Sequence, residues 1–146
     1  MTDTTKGAKE TEGFSAEEKA AVKDRARELK SAASKADGER DLRQKIADMP
    51  EPDRSMAERV DAVVIAAGPD LERRTYYGMP AYAKDGKTIC FFKPKSKFKV
   101  RYSTFEFDTA ATLDDGAVWA TAFAVHNDLT AADEKMLGAL VTKAAG

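Results

Sequence analysis

One cysteine, one histidine and one tryptophan occur in this chain of 146 residues, and each scarcity removes a class of function. A single thiol forms no disulfide framework, so the fold has to stand on its core. Structural zinc needs several Cys or His ligands and is excluded by count. Nucleophilic catalysis lacks a Gly-x-Ser-x-Gly elbow, leaving only Cys90 with His126 as a thiolate–imidazole pair. Phosphate cradles of the Gly-x-Gly-x-x-Gly or Walker A type are missing as well. No apolar run approaches the roughly 20 residues that span a bilayer. Met1 to Gly13 carry Thr, Asp, Lys and Glu where a secretory signal has an apolar stretch. These absences lead to the expectation of a reduced, cytoplasmic protein with no membrane partner, a monomer or weak dimer.

What is present is charge. Hydrophobic residues make up 42% and charged residues 34%, which suits one heavily charged globular domain with one core. The net charge of −1 hides an uneven distribution. Lys84 to Arg101 hold seven basic residues and one acid, whereas Tyr102 to Glu134 hold seven acids and neither Lys nor Arg. An overall basic nucleic-acid footprint is therefore absent, although a local basic patch is not.

Residues 1–13 are small and polar and read as a disordered tail, followed by a single domain over 14–146. Ser15 with Glu18 forms a capping box. The helix it opens carries Val22, Ala26, Leu29 and Ala33 on one stripe and Glu17, Asp24 and Glu28 on another, which predicts the apolar stripe inward. Asp37-Gly38 reads as the stop. A short helix follows with Leu42, Ile46 and Met49 on one face, ended by Pro50 and Pro52. Asp53 is the expected cap of a third helix with Met56, Val60, Val63, Val64 and Ala67 inward and Gly68-Pro69 beyond it.

After Leu71 the period becomes alternating. Asp85-Gly86 predicts a two-residue hairpin, since both central positions need positive φ. Pairing Lys84 with Lys87 sets Tyr82 across from Ile89 and Ala81 from Cys90. A second reversal near Pro94 to Ser96 then puts Phe92 by Phe98, Cys90 by Val100 and Thr88 by Tyr102. In that register the core face holds Ala81, Ala83, Cys90, Phe92, Phe98, Val100 and Tyr102. The opposite face carries Tyr82, Ile89 and Phe91 beside Lys93, Lys97, Lys99 and Arg101. Leu113 to Gly116 reads as a turn and Ala117 to Val125 as a strand. Thr130 with Asp133 caps a last helix burying Met136, Leu137, Leu140, Val141 and Ala144. The order predicts an α+β domain: an antiparallel sheet of about five strands with N-terminal helices and a C-terminal helix packed on it.

Three groups of residues carry candidate function, each beside a plainer account. The basic face, with Tyr82 and Phe91 among Lys97, Lys99 and Arg101, suits an anionic partner such as single-stranded nucleic acid or a phosphorylated ligand; lysines on a hairpin also simply discourage edge pairing. Tyr77-Gly78-Met79-Pro80-Ala81-Tyr82 suits a pocket walled by Tyr77, Met79, Tyr82 and Trp119; a kinked strand entry at Gly78 and Pro80 explains the same residues by folding alone. The acids Glu17, Asp24 and Glu28, or Asp108, Asp114 and Asp115, suit a hard cation, without an EF-hand pattern; a solvated helix face explains the first three equally well.

An ordered set of motifs carries a family resemblance from Phe14 to Ala144. It comprises Phe14 to Glu18, Met49-Pro50-Glu51, Asp53-Arg54, Pro69-Asp70-Leu71, Tyr77 to Tyr82, Cys90-Phe91-Phe92, Lys97-Phe98, Arg101-Tyr102, Leu113 to Gly116 and Trp119. In this the chain resembles the YdhG-like family, a domain family of unknown function. Tyr76 and Ala120 depart from it, standing where that family tends to carry Trp and Pro. The resemblance implies a strongly bent antiparallel sheet. It also implies, from one branch of the family, a frataxin-like iron chaperone that binds Fe²⁺ through carboxylates and works with iron–sulfur assembly proteins. The expectation is a small non-enzymatic binding protein, with iron delivery first, the anionic-partner module second and the pocket third.

Overall fold

The computed structural model describes residues 13–30 and 34–146. The expected tail and Ala33 of the first stripe fall outside the described residues. The elements, in chain order, are α1 (Ala16–Lys30), α2 (Lys35–Ala47), α3 (Asp53–Ala67), β1 (Glu72–Tyr76), β2 (Met79–Lys84), β3 (Lys87–Lys93), α4 (Lys95–Phe98), β4 (Ser103–Phe107), β5 (Ala122–Val125) and α5 (Ala131–Ala145). The strands form one antiparallel meander, β1-β2-β3-β4-β5. With helices before and after it, the domain is α+β.

Local chemistry sets most of the boundaries. Ser15 and Glu18 exchange the two bonds of a capping box, and Thr130 and Asp133 do the same for α5. Asp37-Gly38 does not end a helix. It lies in the first turn of α2, which Ser34 caps by accepting the Asp37 amide. Gly38 is there for contact: a Cβ would fall 2.4 Å from the Arg73 carbonyl oxygen, so glycine lets α2 lie directly on β1. Asp53 is the first residue of α3 rather than its cap, and its carboxylate serves α4 instead.

Two hairpin turns follow one pattern. Asp85 and Gly86 have φ of 52° and 78°, and Tyr77 and Gly78 have 53° and 75°. Lys84 faces Lys87 across the first, Tyr76 faces Met79 across the second, and both match a two-residue I′ turn. The register beyond them corrects the expected one twice. A bulge beside Tyr82/Ala83 leaves Ile89 unpaired, so Tyr82 faces Cys90 and Ala81 faces Phe91. That slip moves Tyr82 to the core face, where it is fully buried and donates to Asp61 at 2.8 Å.

The second correction concerns the partner of β3. Lys95–Phe98 is a helical turn, Lys99 adopts a left-handed conformation, and β3 pairs with β4: Cys90 faces Phe107 and Phe92 faces Phe105. Val100 (42% exposed) and Tyr102 (44%) stay outside the core. The alternation of Lys97 to Tyr102 matched a strand, but long-range bonds override it. Ser96 donates its amide to the buried Asp53, and Lys95 donates to Ser103 Oγ. The core face therefore carries Tyr82, Cys90, Phe92, Phe105 and Phe107, packed on Leu42 and Ile46 of α2, Met56, Val60 and Val64 of α3, and Leu137 and Val141 of α5. Met136 lies exposed instead of buried, and Ala117 to Thr121 precede β5 rather than extend it. Among the described residues no helix is long and apolar enough to cross a membrane.

Candidate ligand cleft beneath the first helix

The opposite face of the sheet follows by pairing parity: Ala81, Phe91 and Glu106 lie in one row, with Lys93 and Thr104 beside them. Helix α1 covers part of it, reversed from expectation. Its apolar stripe is not buried, with Val22 48% and Leu29 68% exposed, while Ala21 is buried. The acids are what dock. Glu17 lies 2.9 Å from Lys99 Nζ, Asp24 lies 3.2 Å from Lys97 and 3.8 Å from Lys45, and Glu28 Oε1 accepts the Gly78 amide at 3.0 Å. Arg25 stacks over Tyr76 at 4.8 Å and Tyr77 at 5.8 Å. Periodicity shows that two stripes exist; which one faces inward depends on the cations opposite, far away in sequence.

This docking surface tunes its own charges. The bond to Lys99 holds the Glu17 carboxyl below its usual range and raises Lys99. Burial raises the Glu28 carboxyl, against the Gly78 bond that lowers it, and Glu28 Oε2 has no partner among the described residues. Gly78 has φ +75°, which favours glycine, and a Cβ there would fall 2.3 Å from Asp24 Oδ2 and 2.8 Å from Lys97 Nζ, displacing the ends of that ion pair.

Between α1 and the sheet remains a cleft of about 310 Å³, walled by Tyr76, Tyr77, Met79, Phe91 and Phe98, with Phe14, Ala21 and Val22 from the helix side. Tyr76 packs edge-on to Tyr77 at 4.7 Å and tilted to Phe91 at 5.4 Å. Burial raises the Tyr76 phenol, chiefly by desolvation. The polar groups at the rim are Glu18, Lys93 and Glu106. Glu18 is engaged with Ser15 and Glu106 with Thr104. Lys93 lies over the Phe98 ring at 5.1 Å, and among the described residues it has no carboxylate within ion-pair reach.

Of the expected binding residues, Tyr77, Met79 and Phe91 line this cleft, and Gly78 and Lys97 sit under the adjoining stretch of α1. Pro80 and Tyr82 are buried and open to no ligand. Lys99 is taken by Glu17, and exposed Arg101 stacks on Tyr102. Trp119 lines a different cleft, of about 300 Å³, with Asp108 and Asp114. Sequence parity placed Lys93 beside Phe91 but missed Tyr76, Phe98 and Glu106 as their neighbours, because the bulge and α4 are not visible in the alternation.

The acids proposed for metal are not gathered. Glu17, Asp24 and Glu28 are each committed to a cation or an amide, Asp115 is exposed, and among the described residues no three His, Cys, Asp or Glu side chains stand together as ligands. Cys90 and His126 do not pair. The thiol is buried in the core, which pushes its pKa up, while the exposed imidazole bonds Asp128 at 2.5 Å. Comparison of the chain with protein-family models, curated proteins and solved structures finds no match.

Proposed function

We propose that the protein is a small non-enzymatic binding protein that takes its ligand into the cleft under α1. The observation that carries this reading is the juxtaposition of Tyr76, Tyr77, Met79, Phe91 and Phe98 around about 310 Å³, with Lys93 at the rim. Aromatic walls with few polar tips suit a ligand that is largely apolar or planar. A half-buried ammonium without a carboxylate partner adds a preference for one acidic group on that ligand. This joins the pocket and anionic-ligand expectations in one place and uses Lys93 of the basic face rather than Lys97, Lys99 or Arg101.

A fluorescence titration with 8-anilinonaphthalene-1-sulfonate, an aromatic sulfonate, tests it. Saturable single-site binding is expected. Phe91→Ala and Lys93→Gln should each weaken it about tenfold or more, as loss of a stacking wall or a charged hydrogen bond does. Affinity unchanged in both variants would place the dye elsewhere and sink the reading.

Iron delivery is a second reading, favoured by Asp108 and Asp114 lining one cleft beside Trp119. Carboxylate oxygens suit a hard cation such as Fe²⁺, and delivery would involve iron–sulfur assembly proteins as partners. Anaerobic Fe²⁺ should quench Trp119 and shift the amides of residues 106–116. Unmoved amides, or the same shifts after Asp108→Asn and Asp114→Asn, would end it.

A further inference from the structure

A second cavity, of about 280 Å³, lies where the Met49-Pro50 turn meets the Pro94–Lys97 segment. Asp53 lines it and is fully buried. Its Oδ2 accepts the Ser96 amide at 3.0 Å, and its Oδ1 has no partner among the described residues. A buried acceptor left unmade costs about 1–3 kcal/mol, more when charged, so a donor from outside the chain would be held strongly there. Lys45 and Lys97 line the same cavity, yet neither makes an ion pair with Asp53. Both turn to Asp24 of α1, which shows a carboxylate already held between the two ammoniums. Each ammonium has three donors, so a second carboxylate can join.

The lining charges fix the class of ligand. Asp48 and Asp53 match Lys45 and Lys97 in number, and Asp24, paired with both lysines, adds one negative charge, so the site calls for a ligand that brings an ammonium and does not suit a plain anion. Met49, Pro50 and Pro94 supply an apolar stretch between the charged groups. We propose that this cavity binds a small amino-acid-type zwitterion, its ammonium on Asp53 Oδ1 and its carboxylate between Lys45 and Lys97. The site is separate from the aromatic cleft, and neither reading depends on the other. Met49, Pro50 and Asp53, which the aromatic cleft leaves unused, find a role here.

The Ser96 amide, bonded to Asp53, is the reporter in a ¹⁵N NMR titration of the whole chain. The probes are glycine and γ-aminobutyrate, with acetate and methylammonium as controls carrying one charge each. A saturating shift is expected for at least one zwitterion, with both controls about tenfold weaker or worse. Asp53→Asn keeps the shape and the acceptor for Ser96 and should abolish the zwitterion response. Lys45→Gln, at a more exposed position, should weaken it without affecting folding. The proposal falls if Ser96 is unmoved by both zwitterions, if a control binds equally well, or if Asp53→Asn responds like wild type. Should that variant fail to fold, unchanged affinity in Lys45→Gln overturns it alone.

Discussion

The amide of Gly78 donates to Glu28 Oε1 at 3.0 Å, joining the tip of the β1–β2 hairpin to the last turn of α1 across 50 residues of sequence. The bond holds the YGMPAY turn and the helix as one wall of the cleft.

Gly78→Ala should therefore cost more than Gly86→Ala, although both positions have positive φ. At Gly86 a Cβ meets nothing within 4 Å, so only backbone strain of about 1–2 kcal/mol applies. At Gly78 the same strain adds to contacts of 2.3 and 2.8 Å with Asp24 and Lys97. Urea unfolding of the two variants should rank them in that order. Equal losses would show that α1 does not press on the turn.

How much of this was legible in the sequence depends on the range of the interaction. Ser15/Glu18, Thr130/Asp133 and Asp85-Gly86 act within four residues, and each formed as read. The α+β class followed from such local signals. The register did not, because Ile89 is skipped by a bulge and Ser96 is drawn into a helical turn by Asp53, 43 residues away. Nor did the inward face of α1, which Lys45, Lys97 and Lys99 decide. Tyr77, Met79 and Phe91, singled out from the sequence, line the cleft, and alternation had already set Lys93 beside Phe91. Their neighbours Tyr76 and Phe98 came into view only with the fold.

Cys90 should resist modification in the native state. The thiolate is the reactive form, and complete burial pushes the thiol well above its usual range. Labelling with a thiol-reactive disulfide reagent should follow opening of the core, slow in buffer and fast in denaturant. Immediate labelling in buffer would contradict the placement of Cys90 between Tyr82 and Phe107.

Glu28→Gln isolates one carboxylate by its pH dependence. Burial raises the folded-state pKa of Glu28 above the usual 4.5. Below that value both folded and unfolded chains hold the proton, and nothing is lost. As pH climbs past it the unfolded chain releases its proton first, so stability falls until the raised folded pKa is passed. Gln still accepts the Gly78 amide and escapes this fall. Thermal melts from acid to neutral pH should show the variant gaining on wild type over that window and keeping the gain above it. Glu17, whose pKa is shifted the other way, is present in both chains and cancels.

The docking of α1 should depend on salt and on two lysines. Glu17–Lys99 is an exposed pair and Asp24–Lys97 a partly buried one, and added salt screens both. The helix leaves Val22 and Leu29 exposed, so little apolar burial compensates when the pairs are lost. Substituting Lys97 and Lys99 by Gln should speed hydrogen exchange of the α1 amides severalfold while β2 and β3 keep their protection. High salt should do the same to wild type and little more to the double variant. If these lysines only guarded a sheet edge, the variant would aggregate and α1 would exchange unchanged. Their place in α4 and the left-handed residue after it, outside every strand, argues against that outcome.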